Sequence, residues 1–215
     1  MNHIPMRMNA PTLRPQKLTR RALAKQQTRE KVLQAAREMF IERGYEGATI
    51  RDIARAAGMS TGAVFASFTD KPELFDAILS DEFAALADPM RDAAATAPSA
   101  REALVAMFGA AYRAHFSQLP LIQAALAASW TRTPEAERLR RDSLRPLRAL
   151  VLEVLERGVA RDELTQKYDL RLIADVIWDL YLAGYRPAAF DGLSVDTQTD
   201  RLANRIDLVL ASVKA

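Results

Sequence analysis

Small and hydroxyl-bearing side chains are concentrated in one short segment, residues 49–68, whose sequence is TIRDIARAAGMSTGAVFASF. All of its charged residues lie in the first half, and the second half offers hydroxyl, methyl and aromatic groups. Such side chains suit close contact with the edges of nucleic-acid bases, where hydroxyls exchange hydrogen bonds and methyl groups meet the thymine methyl. The candidate contact residues are Ser60, Thr61, Ala63, Ala66 and Ser67.

Two short helices at a steep angle would position these groups. The Thr-x-x-Asp pattern that begins at Thr49 is a capping box and predicts the start of the first helix. Gly58 predicts a sharp turn with positive φ, and Ala54 is small where the next helix must cross. Val64 and Phe68, four residues apart, would face the core from the second helix. The segment therefore predicts a helix-turn-helix, although an ordinary corner between two helices has the same local pattern.

Charge is divided unevenly along the chain. Residues 1–71 contain 13 Lys and Arg against 6 Asp and Glu, whereas the whole chain carries a net charge of only +3. A basic front on a mildly acidic body indicates a polyanionic partner for the front, and a basic tail that is merely solvated is the alternative. We expect residues 1–27 to form a flexible basic tail that reaches DNA through Arg14, Lys17, Arg20, Arg21 and Lys25. A narrow minor groove, where the negative potential is strongest, is the expected place of contact.

Catalytic and metal-binding constellations are missing from the sequence. It has no cysteine and two well-separated histidines, His3 and His115, and it has no paired Glu-x-x-His motif, phosphate-cradling glycine loop or nucleophile elbow. We expect neither an enzyme nor a metal or cofactor. No secretory signal is recognisable, and no apolar run approaches the ~18 residues that span a membrane. A cytoplasmic protein without a membrane partner is the expectation.

The remaining periodicity is helical throughout and predicts an all-α fold of about nine helices. A first helix is expected from about Thr28 to Gly44, residues 169–186 should form one helix, and Thr197 should cap the last. We expect three regions: the tail, residues 1–27; a three-helix DNA-binding head, residues 28–73; and a helical ligand-binding and dimerisation body, residues 74–215.

The run ATIRDIARAAGMSTGAVFASFTDKPELF, with the Gly-Tyr pair just before it, resembles the amino-terminal domain of the tetracycline-repressor (TetR-like) family of bacterial transcription regulators. The resemblance covers roughly residues 28–80, and the body matches only in helix count and in its closing helices. It implies a regulator, in most cases a repressor, that binds palindromic operator DNA as a homodimer. It also implies that a small-molecule inducer of unknown identity, bound in the body, releases the DNA.

The resemblance also implies roles for single residues. Thr49 would cap the second helix against a phosphate, Ser60, Thr61 and Ala63 would read bases, and Lys71 would face the DNA backbone. At two positions the chain departs from the family, which often has tyrosine at the place of Phe65 and histidine at the place of Ser67. Phe65 cannot donate a hydrogen bond, so it would stack on sugar or a thymine methyl, or join the core. Ser67 can still donate, with a shorter reach.

Two further sets of residues are assigned in the body. Helix 169–186 is apolar nearly all round, which predicts cover on two sides, by the body and by a second copy; burial in one large core is the alternative. The dimerisation candidates are Ile173, Ile177, Trp178, Tyr181, Leu202, Ile206 and Val209.

The ligand candidates are Tyr112, His115, Phe116, Gln123, Trp130 and Asp142, and for His115 an exposed position near a helix end is the favoured interpretation. A non-specific or architectural DNA-binding protein is the alternative function.

Overall fold

The structure, a computed structural model, describes residues 19–214 and is all-α. Within that range the only β pairing is one isolated bridge, between Leu164 and Lys214. Ten α-helices and a short 3-10 turn at Phe116–Gln118 make up the described chain, close to the nine predicted. The helices are α1 Arg20–Gly47, α2 Ile50–Ala56, α3 Thr61–Phe65, α4 Lys71–Ala95, α5 Ala100–His115, α6 Leu119–Ala128, α7 Pro134–Ala160, α8 Leu170–Ala183, α9 Tyr185–Asp191 and α10 Val195–Leu210.

Local capping determines where most of these helices begin. At five helix starts the side chain of the capping residue accepts a hydrogen bond from a backbone N–H in the first turn, which has no partner inside the helix. Asp70, for example, accepts from the Glu73 N–H at 2.7 Å, and Glu73 in turn accepts from the Thr69 N–H at 2.6 Å. The five caps are Thr49, Ser60, Asp70, Ser99 and Thr133.

The amino-terminal boundary of the first helix differs from the prediction. Helix α1 begins at Arg20, capped by the Thr19 hydroxyl that accepts from the Ala22 N–H at 3.2 Å, and not at about Thr28. Residues 20–27 contain neither proline nor glycine and include alanine, leucine, arginine and lysine, which favour helix. These eight residues therefore do not belong to a flexible tail. Gly44 leaves the helical conformation with φ +71°, where the sequence predicted that the helix would stop.

Three other boundaries also differ. Helix α3 ends at Phe65, and the residues up to Phe68 form a turn. Residues 169–186 are divided at Gly184 between α8 and α9. A side chain at Gly184 would overlap the Tyr112 hydroxyl and the Gln198 amide, so only glycine fits this close approach. Helix α10 is capped by Ser194, which accepts from the Thr197 N–H at 3.2 Å, so Thr197 is not the cap.

One continuous core joins the amino-terminal helices to the rest of the chain, and α4 passes through both parts. At its beginning Phe75 packs edge-to-face on Phe40, with ring centres 5.5 Å apart. Two turns later Phe83 meets the imidazole of His115 in α5 at 5.8 Å. The ion pair Arg37–Glu82, 2.7 Å long, joins α1 to α4, and α6 also packs on α1. A displacement of α4 would therefore change its contacts with α1 and with α5.

Residues 19–214 contain neither a membrane-spanning helix nor a cluster of metal ligands. None of the helices there has the length and apolar character needed to cross a membrane. No group of three or more acidic or histidine side chains in that range is arranged to hold a metal ion.

Candidate nucleic-acid interface

The turn between α2 and α3 has the predicted geometry. Gly58 adopts φ +69°, a left-handed conformation that costs an L side chain energy. The Met59 N–H donates to the carbonyl oxygen of Ala54 at 2.8 Å, which closes the end of α2. Ala54 is 2% exposed. The small side chain and the positive φ together let α3 cross close to α2, so the helix-turn-helix prediction is confirmed.

Helix α3 presents one face to solvent and the other to the core. Val64 is completely buried, and Phe68 just beyond the helix is 2% exposed. The outward side comprises Ser60, Thr61, Gly62, Phe65 and Ala66, while Ala63 and Ser67 are half-buried. Phe65 is 53% exposed, which excludes the core position that the sequence left open for it. An uncharged, largely small surface is therefore available to enter a DNA groove.

The caps of α2 and α3 limit what their hydroxyls can do. The Ser60 hydroxyl accepts from the Ala63 N–H at 3.2 Å, and its own hydrogen is free to donate outward. The Thr49 hydroxyl instead donates to the Asp52 carboxylate at 2.6 Å, a bond that lowers the pKa of Asp52. A phosphate contact by Thr49 would compete with this bond, so Ser60 is the better placed of the two donors.

Arg29 holds the end of α3 from the first helix, a role that the sequence did not reveal. Its guanidinium lies 4.1 Å from the ring centre of Phe68 and its Nη1 donates to the Ser67 carbonyl at 3.1 Å. A cation over an aromatic face and at the carboxyl end of a helix is favourable on both counts. No local spacing connects residues 38 positions apart, so the sequence carried no signal for it.

Lys71, at the first position of α4, is half-buried and its Nζ lies 4.2 Å from the ring centre of Tyr45. Partial burial raises the pKa of the Tyr45 hydroxyl. The aromatic face fixes the direction of the lysine stem at the edge of the helix-turn-helix. This is a position from which an ammonium group can reach a DNA phosphate.

The first two turns of α1 form a basic projection. Arg20, Arg21 and Lys25 are all exposed, and none of the three is in an ion pair within the described chain. Because they are held on a helix, their spacing is fixed rather than variable. The other two basic residues assigned to DNA contact, Arg14 and Lys17, lie outside the described residues.

The predicted ligand residues divide into two groups. Tyr112 and His115 are buried, at 0% and 1% exposure, and Phe116 packs edge-to-face on Tyr112 at 6.0 Å. The exposed position favoured for His115 is therefore wrong, because α9 covers it. Trp130 is 91% exposed and the exposed Asp142 pairs with Arg145, so neither belongs to this cluster. Gln123 is half-buried on α6.

Around His115 the body contains a buried polar network. The Tyr112 hydroxyl donates to the Tyr181 carbonyl at 2.8 Å. The Tyr185 hydroxyl lies 2.8 Å from His115 Nδ1 and 2.5 Å from the Tyr181 hydroxyl. Burial, with a smaller contribution from Arg140, lowers the pKa of His115 to about 4. Burial also raises the pKa of Tyr112 to about 12, so these groups are neutral at physiological pH.

The residues assigned to dimerisation face inward. Six of them are at most 6% exposed and Val209 is half-buried, because their sides of α8 and α10 pack on the protomer's own core. Side chains without accessible surface cannot form the main contact with a second copy, so this set is corrected: its members are Ile173, Ile177, Trp178, Tyr181, Leu202, Ile206 and Val209. The exposed apolar residues of the same two helices are Leu172, Val176 and Leu208, at 57%, 39% and 77%.

Comparison with known proteins connects this geometry to a family. Residues 32–78 match the family model described as bacterial regulatory proteins, tetR family. The HTH-type transcriptional repressor KstR2 of Mycobacterium tuberculosis is 30% identical over 168 residues, which cover 74% of this chain and 82% of that protein. The repressor AcnR of Corynebacterium efficiens is 42% identical over 65 residues, and the matching region spans only 35% of its length.

A solved structure extends the similarity to the fold of the body. The transcriptional regulator FadR of Bacillus subtilis, in complex with stearoyl-CoA, superposes with a TM-score of 0.73. The superposition covers 84% of this chain and 97% of that one, at 15% sequence identity. At this identity the match shows a shared fold.

Proposed function

The chain belongs to the tetR family of bacterial regulatory proteins, and from this premise we propose that it is a homodimeric repressor of transcription. Its two heads bind a palindromic operator, and a small molecule bound in the body releases the DNA. Action on operator DNA implies a cytoplasmic place of work. The supporting observation is the outward face of α3, which offers Thr61, Gly62, Phe65 and Ala66 to solvent without a charge.

Base recognition is assigned to α3 and attachment to the cations around it. The Thr61 hydroxyl can donate to or accept from a base edge, and the Phe65 ring can pack on a thymine methyl. Lys71, Arg20, Arg21 and Lys25 lie at the flanks and would contact phosphates, which position the protein without reading sequence. The alternative, a non-specific DNA-binding protein, would use these cations alone.

A second copy of the chain is the proposed partner for the outer sides of α8 and α10. Leu172 and Val176 lie four residues apart on one stripe of α8, and Leu208 lies on α10, which packs against α8. An apolar stripe across two adjacent helices pairs with its own copy about a two-fold axis. Two heads in such a dimer must lie about 34–36 Å apart to reach successive major grooves.

Release by an effector is proposed to act through α4. This helix of 25 residues starts with Lys71 at the head and passes His115 in the body, so a change around His115 tilts the same rigid element that carries a DNA contact. A ligand can shift the equilibrium between two arrangements only by binding one of them more tightly. The proposal of a small-molecule effector is supported by FadR of Bacillus subtilis, which shares this fold and was crystallised in complex with stearoyl-CoA.

The proposal is tested by selecting genomic fragments with the purified protein and competing the selected site against random duplex. Recovery of one palindrome, bound as a dimer and at least about 10³-fold more tightly than random duplex, supports a specific regulator. Comparable affinity for all duplexes supports the architectural alternative.

A further inference from the structure

The buried network in the body ends in a hydrogen-bond donor that lacks an acceptor. His115 Nδ1 faces the Tyr185 hydroxyl, whereas His115 Nε2 has no partner within the described chain. His115 is 1% exposed, so Nε2 has no direct contact with bulk solvent. A buried polar group in this state is costly and calls for an explanation.

The hydroxyl hydrogens determine which imidazole nitrogen carries the proton. If Tyr185 donates to Nδ1, then Tyr181 can donate to the Tyr185 oxygen, and both buried hydroxyl hydrogens are used. If Nδ1 were protonated instead, Tyr185 would have to donate to Tyr181, and the Tyr181 hydrogen would have no acceptor. The first arrangement leaves no hydroxyl unsatisfied. It makes Nε2–H the unpaired donor.

Arg140 contacts the same aromatic ring as His115, and its positive charge acts on the imidazole. The Arg140 guanidinium is 3.8 Å from the ring centre of Phe83, the same ring that His115 meets at 5.8 Å. Its Nη1 is buried and unpaired, and no carboxylate among residues 19–214 lies within ion-pairing distance of it. Burial and the neighbouring Arg132 lower the pKa of Arg140 to about 10, so it stays charged at neutral pH.

Two N–H groups without a partner among residues 19–214 thus belong to residues that both contact Phe83. Two acids act on Arg140 from beyond ion-pairing distance: Asp76, which lies 3.9 Å from Arg132, and Glu137, which pairs with Arg141 at 2.9 Å. An unpaired buried cation is unfavourable until an anion offsets it, and a carboxylate supplies one negative charge and two acceptor oxygens in a plane. Arg140 as a whole is partly exposed, so its guanidinium borders the surface, whereas His115 lies behind it in the core at 1% exposure.

We propose that the effector is a small molecule with a carboxylate, which is bound jointly by the Arg140 guanidinium and His115 Nε2–H while its apolar part packs on Phe83. The inference rests on the proposed ligand-responsive function and specifies the chemistry of the ligand. Arg140 lies on α7, His115 on α5 and Phe83 on α4. A carboxylate bound by both Arg140 and His115, next to Phe83, would link α5 and α7 to α4, the helix that begins with Lys71.

The test exploits the presence of only two histidines in the chain. In the variant His3→Gln, His115 gives the single imidazole signal in ¹H–¹⁵N spectra. The probes are acetate, hexanoate, decanoate and benzoate, each paired with its uncharged primary amide. At least one carboxylate should shift the Nε2–H signal in a saturable manner, and it should bind about tenfold or more tightly than its amide.

Two arginine variants locate the effect. Arg140→Met should weaken the binding of the responding carboxylate by about tenfold or more, because the charge-assisted bonds are lost. The exposed Arg138→Met on the same helix should leave it unchanged. Operator binding by each variant in the absence of a probe shows that the variant is folded. A loss of carboxylate binding is attributed to Arg140 only in a variant that still binds the operator.

The proposal is overturned if the His115 signal responds to none of the carboxylates, if the amides bind equally well, or if Arg140→Met binds as the parent does. Phenyl phosphate is included, and tighter binding of this probe than of benzoate contradicts the assignment of a carboxylate. If the carboxylate tests fail while the protein still binds its operator, only the carboxylate proposal is refuted. If the protein binds no operator, the proposed function itself is refuted.

Discussion

Arg29 in the first helix lies over the ring of Phe68, 4.1 Å from its centre, and donates a hydrogen bond to the carbonyl of the residue before it. The chain just after α3 is therefore held by a residue outside the helix-turn-helix. Helix α3 has only five residues and could not hold its orientation by its own hydrogen bonds. The orientation of α3 therefore depends on this long-range contact as well as on the turn at Gly58.

Replacing Arg29 with Met should test that dependence. The substitution keeps the apolar stem but removes the cation and the hydrogen bond, so we expect the free energy of unfolding to fall by about 1–2 kcal/mol. Affinity for the operator at fixed salt should fall as well. Urea unfolding and fluorescence titration measure the two effects, with the exposed Lys31→Met as the matched loss of one positive charge. Equal affinities for the two variants would show that only charge matters at position 29.

Two glycines provide a matched pair of alanine substitutions. At Gly58 an added Cβ meets no atom within 4 Å, so the cost of Gly58→Ala comes from φ +69° alone and should be about 1–2 kcal/mol. Gly47 lies in a helical segment, without positive φ, and its added Cβ makes an ordinary contact of 3.5 Å. Gly47→Ala should therefore be neutral or stabilising by up to about 1 kcal/mol. Thermal and urea unfolding compare them, and equal destabilisation would contradict the assigned turn.

The buried imidazole predicts a dependence of stability on pH. Because the pKa of His115 is about 4 in the folded protein and near 6.5 when unfolded, the unfolded state takes up the proton first as the pH falls. The neutral His115 therefore contributes to the free energy of unfolding in full above pH 6.5. This contribution, on the order of 3 kcal/mol, is lost as the pH falls from 6.5 to 4. An NMR titration of His115 in the His3→Gln variant measures the folded value. A midpoint near 6.5 would contradict the burial.

The outer sides of α8 and α10 are expected to hold the dimer together. The double variant Leu172→Asp and Leu208→Asp places charges on the exposed apolar stripe, and burying them against a copy would be costly. It should be monomeric by analytical ultracentrifugation and should bind half-sites only weakly, with its helical circular dichroism retained. Trp130→Ser removes an apolar residue that is even more exposed, at 91%, and should remain dimeric. If the double variant remained dimeric, the interface would lie on another part of the chain.

Local signals made the head predictable. The cap at Thr49 and the turn at Gly58 each depend on residues within a few positions of one another, and both are present. The start of α1 was placed too late because the helical propensity of residues 20–27 is not accompanied by an apolar stripe. Only the hydroxyl cap at Thr19 marks the true beginning.

The body was predictable in class but not in detail. The prediction that α8 is apolar nearly all round was wrong, because Arg171, Asp175 and Asp179 form an exposed polar stripe four residues apart. Leu172 lies next to this stripe and faces outward, whereas Ile173 faces inward. The position of His115 depends on a hydrogen bond with Tyr185, 70 residues away. The effect of Arg140 on the pKa of His115 likewise depends on their proximity in the fold. Contacts of this range leave no periodic trace in the sequence.

The most direct measurement is the ratio of affinities for the selected palindrome and for random duplex, at one salt concentration, for the parent and for Thr61→Ala and Phe65→Ala. If the outward face of α3 reads bases, each substitution should lower affinity for the palindrome by about 1–3 kcal/mol and leave affinity for random duplex nearly unchanged. An equal loss on both duplexes, or no loss on either, would contradict the assignment of α3 as the recognition helix.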